Sequence, residues 1–215
     1  AAVKDELSRL KVTKPCCRKA EVAATLFSAQ RQRTLVALAL MTAQAFFYNA
    51  IFFTYALIMT RFYGVPDDKV GYYIFPFALG NFFGPLLLGH FFDSVGRRAM
   101  IGATYALSGI GLFAMGYAFA QEALTATTQV LSLCAIFFVA SAAASSAYLT
   151  VSEIFPVEIR AVSISLFYAI GTGAGGFIAP ALFGLIVESG SRDALFGGFA
   201  LAAALMCAAA VVVAI

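Results

Sequence analysis

The chain has 215 residues, 62% of them hydrophobic and 12% charged, with a mean hydropathy of +0.90 and a formal net charge of +3. A soluble domain of this length carries about 25% charged residues, so the composition excludes a water-exposed fold for most of the chain. The small positive charge follows from where Lys and Arg fall along the chain and gives no support to a nucleic-acid partner.

Residues 1–33 are polar and basic, carrying Lys4, Arg9, Lys11, Lys14, Arg18, Lys19, Arg31 and Arg33. They read as a surface helix or linker interrupted at Pro15, attracted to anionic membrane lipid at about 1 kcal/mol per basic residue near the surface. Residues 34–215 read as a six-helix transmembrane bundle. Between charged residues lie six uninterrupted stretches, 34–60, 70–92, 99–121, 123–152, 161–187 and 194–215. Each exceeds the roughly 20 residues that a helix needs to cross a hydrocarbon core about 30 Å thick. A β-barrel needs segments of about ten residues with alternating polarity, and runs such as Leu35-Val36-Ala37-Leu38 do not alternate.

The first stretch carries Thr42, Gln44, Tyr48, Asn49, Thr54 and Tyr55. At 100° per residue, Gln44, Tyr48 and Tyr55 share one stripe. Polar side chains in hydrocarbon usually face a cavity, so this helix is expected to line a polar route; the alternative is hydrogen bonding between helices, about 1 kcal/mol or less per contact. In the second stretch Asn81 lies between Pro76 and Pro85, which are expected to loosen its backbone. The fourth carries Ser145, Ser146 and Tyr148; in the fifth, Phe167-Tyr168 precede Gly171-Thr172-Gly173-Ala174-Gly175-Gly176. So many small residues predict close helix approach.

No Asp, Glu, Lys or Arg lies inside any stretch, so none offers an intramembrane proton carrier. His90 stands alone without neighbouring metal ligands, and the four cysteines form no disulfide pattern. No metal, cofactor or enzymatic chemistry is expected: the serines have no base beside them, as a covalent mechanism requires.

Basic residues orient the bundle. The N-terminal segment, the loop with Arg97 and Arg98, and the loop with Arg160 hold 11 on one side, against Arg61, Lys69 and Arg192, which make 3 on the other. The N-terminus is therefore expected in the cytoplasm. Short connections are expected to pack sequential helices as antiparallel neighbours. Two triplets that begin on opposite sides form an inverted 3+3 repeat, the unit of many secondary transporters. The expected fold class is thus all-α, integral membrane, with six transmembrane helices as an inverted 3+3 repeat.

Two compact loops lie on the face assigned to the cytoplasm. The first reads Gly89-His90-Phe91-Phe92-Asp93-Ser94-Val95-Gly96-Arg97-Arg98, the second Glu153-Ile154-Phe155-Pro156-Val157-Glu158-Ile159-Arg160. Gly96 suits a tight turn, and Arg97 offers a planar fork to a carboxylate. As ordinary headgroup anchors they need no partners; as a network, Asp93, Arg97, Glu153 and Arg160 can pair across the loops.

The first loop resembles the G-x3-D-R-x-G-R-[KR] signature of the major facilitator superfamily, with Ser94 in place of the first basic residue. The second resembles the E-[LI]-[FY]-P-x-x-[VI]-R signature of its sugar-porter and metabolite-symporter branches. Gln44 and Asn49 keep an offset found in the seventh helix of sugar porters, where Ala43 replaces a further Gln. Tyr148 stands where sugar porters carry a Trp.

The resemblance covers 34–215 and implies the C-terminal half of a twelve-helix transporter, with 1–33 as its central loop and an N-terminal six-helix half as its companion. It implies alternating access for a small hydrophilic substrate such as a sugar or organic acid, with a proton as coupling ion. Asp93, Gly96, Arg97, Arg98, Glu153, Glu158 and Arg160 would form a conformational charge network; Gln44, Tyr48, Asn49, Asn81, Tyr148 and Tyr168 would contact substrate. Other readings are a drug-efflux member, which predicts a large apolar cavity, or a non-transporting membrane scaffold.

Overall fold

The computed structural model describes residues 31–155 and 157–214, apart from the side chains at 154 and 157–159. Most of the basic segment expected over 1–33 therefore lies outside the described residues. The described residues are helical: α1 (Arg31–Phe52), α2 (Tyr55–Tyr63), α3 (Asp67–Ser94), α4 (Arg97–Ala120), α5 (Ala126–Ile154), α6 (Val157–Glu188) and α7 (Arg192–Ala214). Six of these, all but the nine-residue α2, are long and apolar enough to cross a membrane. With α2 as the continuation of α1, they correspond to the six charge-free stretches.

The first stretch departs from an unbroken helix. Its hydrogen-bonded ladder is interrupted at Phe53 and Thr54, between α1 and α2. No proline or glycine marks the site. Instead the Thr54 hydroxyl donates back to the Ala50 carbonyl, a local bond that competes with the helical ladder and bends it. α2 then ends at Gly64, whose φ of 63° is the left-handed conformation that closes a helix. The two prolines of the second stretch, by contrast, sit inside a continuous α3.

The order of packing also differs from expectation. The most intimate pairs are α1 with α6, α3 with α5, and α4 with α7, none of them sequential. In terms of spans these are 1–5, 2–4 and 3–6, with 3–4 and 1–6 next. Exchanging span 1 with 4, 2 with 5 and 3 with 6 maps this set onto itself. The bundle is thus an inverted 3+3 repeat whose two triplets interleave, so sequential helices within a triplet pack less closely than helices of different triplets.

Glycines make the interleaving possible. A Cβ on Gly84 would overlap the Phe138 carbonyl and the Ser141 hydroxyl, and one on Gly80 would overlap the Cys134 carbonyl. On α6, a Cβ on Gly171 would stand 3.0 Å from the Met41 backbone, and one on Gly175 would run into the backbone at Ala45 and Phe46. Gly80 and Gly84 are four apart on span 2; Gly171 and Gly175 are four apart on span 5, its repeat equivalent. Both pairs bring backbones into direct contact, the way helices associate where no hydrophobic force drives them together. Aromatic rings fill the wider gaps: Phe77 against Phe137 at 4.2 Å and Phe47 against Phe137 at 5.4 Å.

Candidate functional site

A cavity of about 430 Å³, its largely apolar wall carrying several neutral polar side chains, opens among α1, α3, α5 and α6. That volume lies within the range of small-molecule sites, roughly 300–1,000 Å³. All six residues expected to contact substrate line it: Gln44, Tyr48 and Asn49 from α1, Asn81 from α3, Tyr148 from α5 and Tyr168 from α6. Helical spacing brings Gln44 and Tyr48 to one face, and the glycine contacts draw α6 in beside them.

The side chains are held in different ways. The Tyr48 hydroxyl donates to Asn81 Oδ1 at 2.7 Å, joining the first and second spans across the cavity. Its ring meets Phe137 edge-on at 4.9 Å, which fixes its direction. The Asn49 amide donates to Ala45 O at 2.7 Å, one turn back on its own helix. Gln44 is buried; its amide nitrogen donates to Ala140 O at 3.4 Å, while Oε1 has no hydrogen-bond partner. A buried carbonyl without a donor among the described residues is energetically poor, about 1–3 kcal/mol. Tyr148 and Tyr168 are both partly exposed, with ring centroids 6.1 Å apart.

Tyr55, placed by periodicity on the stripe of Gln44 and Tyr48, is not at the cavity. It follows the break, is buried in α2, and its hydroxyl donates to Tyr73 O at 2.9 Å. Ser145, noted in the fourth stretch without a substrate role, also lines the cavity, as do Ser141 and Thr172, to which the sequence reasoning gave none. For Thr172 a signal existed: it is the one polar side chain inside the glycine run of span 5. Among the described residues, no Asp, Glu, Lys, Arg or His lines this cavity.

A second cavity, about 190 Å³, lies between α3, α4 and α5, with Asp93, Arg97 and Glu153 among its lining residues. Pro85 and Ser145 line both cavities, which makes them neighbours along one path. Arg97 is paired directly with Glu153 and lies 3.6 Å from Asp93, one turn earlier. Gly96, at a φ of 108°, turns the chain between α3 and α4 and so presents Arg97 to Glu153. The pair is about half exposed on both sides, so in place it is worth only about 0–1 kcal/mol. That suits a contact that has to break and reform.

Arg98 stands apart from this pair. Arg98 caps α7: Nε donates to Val213 O at 2.7 Å and Nη2 to Ala214 O at 2.6 Å. Arg160 holds its Nε buried without a hydrogen-bond partner, and no ion pair joins it to a carboxylate among the described residues. The side chain of Glu158 lies outside the described residues. Ser94 donates to His90 O at 3.2 Å. Exposed His90 meets the neighbouring Phe91 ring, and no group of three metal-ligating side chains exists among the described residues.

The family profile of the Major Facilitator Superfamily matches residues 36–215. A short stretch of the chain, 26 residues, is also similar to curated proteins named "Probable cell division protein WhiA". Identity over that stretch is 85% for the protein of Acidothermus cellulolyticus and 77% for those of Parafrankia sp. and Frankia alni. The stretch covers 12% of this chain and 8% of each of those relatives. No solved structure matches.

Proposed function

The chain belongs to the Major Facilitator Superfamily, a family of membrane transporters, and from that premise we propose that it is the C-terminal half of a secondary transporter for a small hydrophilic metabolite, such as a sugar or an organic acid. The observation that carries this reading is the cavity in which Gln44, Tyr48, Asn49, Asn81, Tyr148 and Tyr168 converge. Its acceptors and donors are neutral, and its two tyrosine rings offer flat surfaces to a ligand ring or carbon chain. A carboxylate on the substrate would take its counter-charge from the companion six-helix half.

Alternating access then works by rocking one bundle against the other around this site. The Arg97–Glu153 pair stands at the far end of the path that begins at the cavity, and it latches the cytoplasmic side while it is closed. The N-terminus, on this reading, is cytoplasmic, which the distribution of Lys and Arg favours. Proton coupling rests on family analogy; with no carboxylate in these spans, the proton carrier belongs to the companion half. The grouping of Gln44, Tyr48 and Asn49 at the cavity favours a hydrophilic ligand over the drug-efflux alternative.

The test is substrate protection. In the complete transporter, Asn49→Cys is labelled with a small thiol reagent in the presence of individual hexoses, polyols and carboxylic acids. At least one of these compounds is expected to slow labelling several-fold. A uniform rate across the whole panel would remove the cavity as the binding site and favour a non-transporting scaffold.

A further inference from the structure

One phenol reaches across the bundle from behind the cavity. Tyr105 on α4 is fully buried, and its hydroxyl donates to Leu40 O on α1 at 3.1 Å. α4 packs chiefly on α7 and α5, and among the described residues none of its side chains lines the cavity of α1, α3, α5 and α6. A hydroxyl buried in an apolar bundle is costly unless it is bonded, and phenylalanine would fill nearly the same space without that requirement. The hydroxyl is therefore accounted for by what it holds on α1.

It holds the turn of α1 that enters the cavity wall. By helical geometry the Leu40 carbonyl also accepts from the Gln44 backbone N–H, and Met41, Gln44 and Ala45 follow it in the wall. α6 grips the same turn, through Gly171 at Met41 and Gly175 at Ala45 and Phe46. Those contacts set how near α1 comes to α6, but backbone surfaces in contact have no direction and let a helix slide or turn. A hydrogen bond has a preferred distance and angle, so the Tyr105 bond fixes the height and rotation that the glycines leave open. Gln44 depends on that frame. Its amide reaches Ala140 O at 3.4 Å, beyond the usual span of about 2.7–3.2 Å, a bond too long to fix the side chain by itself. We propose that Tyr105 is a positioning residue for the site, whose hydroxyl sets where Gln44 stands in the cavity.

The consequence for substrate rests on the function proposed above, but the hold on Gln44 is testable without substrate. In the complete transporter, its native cysteines replaced by alanine, Gln44→Cys on α1 and Ser145→Cys on α5 are each labelled with a small thiol reagent. Tyr105→Phe is expected to speed labelling of Gln44→Cys several-fold and to leave that of Ser145→Cys as it was. Leu112→Ala, which removes another fully buried side chain of α4, should leave both rates unchanged. An unchanged rate at Gln44→Cys in folded Tyr105→Phe would overturn the proposal. So would an equal change at Ser145→Cys or an equal effect of Leu112→Ala, because α4 would then act by bulk packing. Failure of Tyr105→Phe to fold would overturn it too, since the hydroxyl would then hold the bundle as a whole. For a transported compound, Tyr105→Phe should raise the half-saturating concentration several-fold at an unchanged maximal rate; a fall in maximal rate alone would contradict a positioning role. A panel with no transported compound would count against the metabolite reading and leave the labelling result standing.

Discussion

Tyr48 and Asn81 illustrate how little a single polar contact inside the bundle has to contribute to stability in order to matter for binding. Their 2.7 Å hydrogen bond joins two spans at the cavity, and contacts of this kind are worth about 1 kcal/mol or less in membranes. Tyr48→Phe is therefore expected to lower the resistance of the bundle to denaturant by no more than about 1 kcal/mol. In the complete transporter it should raise the half-saturating substrate concentration several-fold, because Asn81 loses the partner that orients it. Uptake kinetics beside a denaturation curve check both parts. At this scale the sequence was informative where a polar residue interrupts an apolar helix: Gln44, Tyr48, Asn49 and Asn81 stand out by chemistry alone. Tyr105 did not, since its partner is a backbone carbonyl, which carries no recognisable signature in sequence. Tyr55 misled the periodicity because the helix it was assigned to is interrupted before it.

Between elements, the glycine contacts decide which helices meet. Gly175 abuts the backbone of α1, whereas Gly173, two residues away on the same helix, has nothing within 4 Å of where a Cβ would stand. Gly175→Leu is expected to force α1 and α6 apart and destabilise the bundle by about 1–3 kcal/mol, the range for overpacking. Gly173→Leu is expected to be nearly neutral. Thermal unfolding of the two variants in the same detergent checks the contrast; equal effects would mean that close approach at Gly175 is not what seats α6. The sequence announced six helices and their glycine run, because hydrophobic length and small-residue content are local properties. It did not announce that spans 1 and 5, or 2 and 4, are the intimate partners. Partner choice depends on which faces the glycines occupy once the triplets interleave. The Thr54 interruption was likewise hidden, as threonine is common in unbroken helices.

Across the whole molecule, the charged loops and the central cavity lie along one path, and a change at one is expected to act on the other. In the complete transporter, Arg97→Glu or Glu153→Arg alone is expected to lower uptake about tenfold, equivalent to roughly 1.4 kcal/mol. The double exchange should restore part of it, which initial uptake rates would show. No recovery would mean that the two residues act separately. The loop signatures were legible because charge in a hydrophobic chain is conspicuous, and the Arg97–Glu153 pair follows their pattern; Arg98, turned to the end of α7, serves the fold instead.

The central claim is that the cavity of α1, α3, α5 and α6 binds a hydrophilic substrate that the transporter carries. It is tested most directly by accumulation of a labelled panel of hexoses, polyols and carboxylic acids in cells expressing the complete gene, with and without a protonophore, for the parent protein and Asn49→Ala. Uptake of at least one of these compounds is expected, abolished by the protonophore and reduced about tenfold or more by Asn49→Ala, a loss of roughly 1.4 kcal/mol. Uptake indifferent to Asn49→Ala, or export of apolar dyes with no uptake of any hydrophilic compound, would contradict it.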